Sequence, residues 1–137
     1  MPRATFVLAA LLGLAMPAPA LAVTAEEFVG KWGLAGYFND KDAGNIEASA
    51  RAQCNAPYTI ARGPSGGVMM HLPDATKVSE VVVKTSLSTS YIGPAGAPGG
   101  KTDREIVRFD GKALVLKWLD PADARRYGTM VFARCGK

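Results

Sequence analysis

The chain is poor in the residues that most often carry chemistry: among 137 residues there is one histidine, His71, and two cysteines, Cys54 and Cys135. A single imidazole excludes histidine-rich metal centres and leaves only one candidate base for a nucleophile–base–acid arrangement. Charge of one sign is also scarce. A formal net charge of +4 is mild beside what phosphate-backbone recognition demands. Glycine and proline are scattered rather than periodic, which excludes a collagen-like repeat. What is present is an apolar fraction of 48% with 20% charged residues, enough to fold and enough for one ordinary domain at most.

The chain opens on a targeting pattern. Met1-Pro-Arg3 is a positive start, Thr5–Met16 is an uncharged and mostly apolar run, and Ala20-Leu21-Ala22 has the small-x-small form of a cleavage site. Residues 1–22 therefore read as a signal peptide, removed before Val23. The apolar run spans about 18 Å as a helix against about 30 Å of hydrocarbon, too short for a stable membrane anchor. No cysteine follows the cleavage site to carry a lipid. The expected product is residues 23–137, one domain in the periplasm or secreted. Export makes a Cys54–Cys135 disulfide the natural use of the only cysteine pair. In the chain-entropy model such a bridge restricts the unfolded chain by about 4 kcal/mol. The alternative is two buried thiols or a two-sulfur metal site, which only His71 could help to complete.

Beyond the leader the pattern is of strands. Thr24–Glu27 resembles a capped helix start, and Val29–Phe38 reads as a first strand. Residues 39–53 read as a loop with one helical turn. Cys54–Arg62 and Gly67–Leu72 form an expected hairpin around Gly63-Pro-Ser-Gly-Gly67. Val78–Leu87 is the most β-branched run, with Thr89–Ile92 as its extension or partner. Gly93–Asp103 has almost nothing to bury and reads as an exposed, mobile loop. Arg104–Phe109 and Lys112–Leu119 flank Asp110-Gly111, a type I′ hairpin signal. Leu114, Leu116 and Trp118 share one face there, opposite Lys117. Asp120-Pro121-Ala-Asp123 reads as a short helical turn, and Gly128–Cys135 as the closing strand, pinned by the bridge near the second. The fold class is thus all-β: a small antiparallel barrel of seven or eight strands closed by one disulfide, with a β-sandwich as the alternative.

Gly30-Lys31-Trp32 on the first strand and Arg134 on the last resemble the lipocalin and wider calycin pattern. That resemblance implies a barrel floor made by Gly30 and Trp32 with Arg134 packed across the indole, a contact of about 0.5–2 kcal/mol. The stretch Ala25-Glu-Glu-Phe-Val-Gly-Lys-Trp32 is similar to the small periplasmic inhibitors of bacterial secreted metalloproteases. In that family the segment before the barrel enters a protease cleft, which maps here onto Val23, Thr24, Ala25, Glu26 and Glu27. The family's disulfide joins cysteines close in sequence near the front, unlike Cys54 and Cys135.

Other motifs read better as structure. Met69-Met70-His71 offers two copper-type ligands on one strand face, too few for a site. Asn39–Ile46 brushes an EF-hand register, but Lys41, Ala43 and Ala50 occupy ligand positions. Gly63–Gly67 matches Gly-x-Ser-x-Gly without the strand-to-helix turn that motif needs. Arg108, Lys112, Lys117, Arg125, Arg126 and Tyr127 form a basic flank better suited to an acidic partner than to nucleic acid.

The expected function is that of an exported, non-catalytic binding protein of the cell envelope, with no cofactor and no metal. It would act on another envelope or secreted protein, in the manner of an inhibitor, through the N-terminal arm or the Gly93–Asp103 loop. The alternative is a carrier with a small apolar ligand against Met69, Val83, Leu116 and Trp118. Small barrels are usually filled by their own side chains, which favours the protein partner; a cavity of roughly 300 Å³ or more would reverse that order.

Overall fold

The computed structural model describes residues 13–15 and 22–136; the signal-peptide reading lies outside the described residues except at 13–15 and 22. Eight strands follow one another: β1 Gly30–Tyr37, β2 Tyr58–Arg62, β3 Val68–His71, β4 Val78–Ser86, β5 Thr89–Gly93, β6 Arg104–Phe109, β7 Ala113–Trp118 and β8 Thr129–Arg134. Each pairs antiparallel with the next, and β8 returns to β1 from Trp32↔Arg134 to Tyr37↔Thr129. The sheet is a closed barrel, so the sandwich alternative falls. Inward positions recur every second residue and fill the interior with Trp32, Ile60, Val68, Met70, Val81, Ile92, Leu114, Leu116 and Phe132. Among the described residues no helix is long and apolar enough to cross a membrane.

A second core lies outside the barrel. Residues 39–53 hold more than one helical turn: helix α1 spans Ala43–Arg51, between 3-10 turns at Asp40–Asp42 and Ala52–Asn55. Ala50 of α1 packs with Val115, Val131 and Ala133 on the outer faces of β7 and β8. Helix and strand come very close, since a Cβ on Gly33 would stand 1.9 Å from the Ala50 carbonyl oxygen. The alanine-rich stretch is a good helix former, and the outward apolar residues of β7 and β8 supply the surface it covers.

Cys54 lies in the turn after α1 rather than on a strand, and bonds Cys135 with a Cα–Cα distance of 5.6 Å. The bridge therefore ties the end of β8 to the β1–β2 connection, not to β2, which sits on the other side of β1. Two further expectations are corrected. The β6–β7 turn is not type I′, because only Gly111 has positive φ, +84°. Asp110 instead accepts hydrogen bonds from the Lys112 and Ala113 amides at 2.9 and 2.8 Å, which hold its carboxyl below the usual aspartate range. Second, the 93–103 loop is exposed at its tip but tethered at its base. Lys84 Nζ lies 2.7 Å from Asp103 Oδ1, and both side chains are buried. Lys84 also donates to the Pro94 and Ala97 carbonyls, at 2.8 and 3.3 Å, while Asp103 Oδ2 accepts from Gly99 and Gly100, both at 2.9 Å. Helix α2, Pro121–Tyr127, is capped by Asp120 and runs longer than the short turn expected.

Candidate functional site

The two ends of the barrel carry the same pair of side chains in different states. At one end Arg134 lies over Trp32, 4.2 Å from the ring centroid. All three guanidinium nitrogens have carbonyl partners: Nε donates to Gly111, Nη1 to Val29 and Nη2 to Glu27, at 2.8, 3.1 and 2.7 Å. Trp32 Nε1 donates to the Phe28 carbonyl at 2.9 Å. This floor is a hydrogen-bond network in which each guanidinium nitrogen has a carbonyl partner beside a buried indole, and a Cβ on Gly30 would meet Arg134 Nη1 at 2.9 Å.

The N-terminal segment belongs to that floor. Ala25–Phe28 forms a 3-10 turn in which Glu27 accepts the Thr24 amide at 2.8 Å. Ala25 is buried and Val23 packs on the core. Glu26 pairs with Arg62, which holds its carboxyl below the usual glutamate range. Val23 and Ala25 are thus packed on the barrel, while Thr24, Glu26 and Glu27 are exposed at its surface.

At the opposite end, the mouth, Arg104 lies over Trp118 at 4.6 Å, on neighbouring strands where the two residues are direct register partners. Arg104 is 4% exposed, and no carboxylate among the described residues is within ion-pair distance of it. Its Nη2 has only long contacts, to Met70 Sδ at 3.8 Å and the His71 carbonyl at 3.5 Å. Its Nε and the Trp118 Nε1 are buried donors without a partner. Burial pushes the Arg104 pKa down to about 10, so the group remains charged at neutral pH. An isolated buried charge is expensive, and orphaned donors of this kind require an explanation.

These side chains line a cavity of about 190 Å³ that opens at the mouth. Leu34, Met130 and Phe132 give it an apolar wall, and Tyr58, His71 and Tyr127 a polar one. The Tyr58 hydroxyl accepts from the His71 amide and shares a hydrogen bond with His71 Nδ1, each at 3.0 Å. The rim is closed by Tyr127, whose hydroxyl donates to Asp74 Oδ1 at 2.5 Å, a bond that raises its pKa.

Of the four residues expected to line a pocket, Trp118 does so. Leu116 is fully buried in the core and Val83 packs against it. Met69, opposite Glu80, alternates with the inward Val68 and Met70. His71 belongs to the mouth, and among the described residues no cluster of three or more His, Cys, Asp or Glu is arranged to hold a metal. Residues 40–51 are helical, and Gly63–Gly67 is a hairpin loop capped by Glu80, which accepts from the Ser65 and Gly67 amides. In the basic flank Arg108 pairs with Glu47 and Asp110, and Arg126 with Asp74. Sequence reasoning did not single out Arg104 or Tyr58. The available signal was phase: Arg104 shares a strand face with Ile106, placing a charge among inward positions. Comparison of the chain with protein-family models, curated proteins and solved structures finds no match.

Proposed function

We propose that this chain is an exported, non-catalytic binding protein of the cell envelope, acting in the periplasm or after secretion, and that the barrel mouth is its recognition site. The observation that carries this reading is the open cavity walled by Leu34, Phe132 and Trp118, in which the buried Arg104 has no counter-charge. Concave, mainly apolar pockets with a few convergent polar groups are the usual form of small-ligand sites. Kinship with lipocalin-like barrels is part of the proposal, supported by the Gly30–Trp32–Arg134 floor. The volume lies below the roughly 300 Å³ at which a ligand carrier would take precedence over a protein partner, and leaves room for a small occupant only. It equally supports a second reading, in which a protein partner inserts one side chain into the mouth, as an inhibited enzyme would. The N-terminal arm lends that reading less support, since its residues are engaged in the floor.

Native mass spectrometry of the exported chain, isolated from its own envelope without denaturation, tests the proposal. The expected spectrum has a bound small mass that is lost on unfolding and absent from a Leu34→Trp variant whose mouth is filled. A bound protein on the wild type alone would favour the second reading. Neither adduct, together with no saturable binding in a small-molecule screen, would overturn both.

A further inference from the structure

The orphaned donors at the mouth specify more than the presence of a ligand. Arg104 and Trp118 both line the cavity, and each carries a buried N–H donor without a partner, which only an atom with a lone pair can satisfy. A guanidinium is a planar fork whose best complement is a planar two-oxygen anion. Among the described residues that line the cavity, Arg104 is the one cation without a carboxylate partner, the lining Asp74 being paired with Arg126, and this matches one negative charge. Leu34, Met130 and Phe132 give an apolar wall for the body, while the polar lining groups Tyr58, His71, Tyr127 and Asp74 are already engaged with one another or with Arg126. The volume, about 190 Å³, slightly exceeds the roughly 150 Å³ of an engineered protein cavity that accepts benzene.

From this we infer that the mouth binds a small organic monocarboxylate with an apolar body of about one ring, its carboxylate against Arg104 and its body along Trp118 and Phe132. The inference rests on the mouth being the recognition site. The floor supplies the internal contrast: in the same arginine–tryptophan stack there every guanidinium nitrogen has a backbone carbonyl partner, so the stack itself does not require orphaned nitrogens.

Three probes separate the components when titrated calorimetrically into the exported chain: benzoate, benzyl alcohol and acetate. Benzoate should bind saturably and about tenfold or more tightly than benzyl alcohol, the margin of a charge-assisted hydrogen bond. Acetate, with the charge but not the body, should bind more weakly than benzoate by a similar factor. Arg104→Gln should reduce benzoate to the level of the alcohol, and Arg104→Lys should restore part of the difference. Equal affinity for benzoate and benzyl alcohol on the wild type would overturn the anion inference while leaving the mouth as a binding site. No saturable binding of any probe would overturn the inference, and the mass-spectrometric experiment then decides the reading beneath it. The wild-type comparison stands whether or not the variants fold.

Discussion

Arg104 and Arg134 present the same guanidinium to the same kind of ring, and what surrounds their nitrogens separates them. Arg134 fastens the N-terminal turn to the β6–β7 turn, a structural role. Arg104 is paired with no carboxylate, and its pKa of about 10 means that the folded state holds the proton less tightly than the unfolded chain does. The folded protein is therefore penalised while Arg104 is charged, and the penalty is relieved as pH rises from about 10 toward the ordinary arginine value. Arg104→Met should stabilise the unliganded chain at pH 7 by about 1–3 kcal/mol, with the gain shrinking at alkaline pH. Urea unfolding of both proteins at pH 7 and pH 11 checks this. A methionine variant less stable than the wild type would mark Arg104 as a structural residue.

At the scale of elements, the loop between β5 and β6 shows how two charges can order a stretch that has almost no apolar residues. Lys84 and Asp103 are buried together and use their remaining hydrogen-bonding capacity on loop backbone. Removing one partner leaves the other charge buried alone, so Asp103→Ala should cost about 3–5 kcal/mol. The double variant with Lys84→Met should recover a large part of that loss, read from thermal or urea unfolding. Equal instability of single and double variants would show that the pair acts independently of its charge. The sequence could not reveal this tether, because Lys84 and Asp103 are far apart along the chain, Asp103 sits among nearer charges at Lys101, Arg104 and Glu105, and the pairing exists only after β4, β5 and β6 come together. The strands were far more legible. The β-branched run in Val78–Leu87 and the Asp110-Gly111 turn mark their elements locally, whereas the sequence of residues 39–53 suggests less helix than α1 contains. Its cue lay elsewhere, in Ala113-Leu-Val-Leu116, where four successive buried residues break the alternation and announce a strand covered on both faces.

For the whole molecule, closure of the sheet removes exposed edges, and one bridge secures the outer helix against the last strand. Cys54→Ser with Cys135→Ser should lower stability by about 2–5 kcal/mol while leaving the barrel's circular dichroism intact; an unchanged unfolding midpoint would show the bridge to be idle. The polarity of the barrel, with every guanidinium nitrogen partnered at the floor and unpartnered donors at the mouth, is the least legible feature, since it depends on which carbonyls surround each guanidinium. The most direct test uses the only two tryptophans, Trp32 and Trp118, one at each end. In an amide-type proton–nitrogen correlation spectrum of the disulfide-bonded chain, added benzoate should move the Trp118 indole N–H signal to saturation and leave that of Trp32 in place. Both signals moving together, or neither moving, would contradict a recognition site built around Arg104 at the mouth.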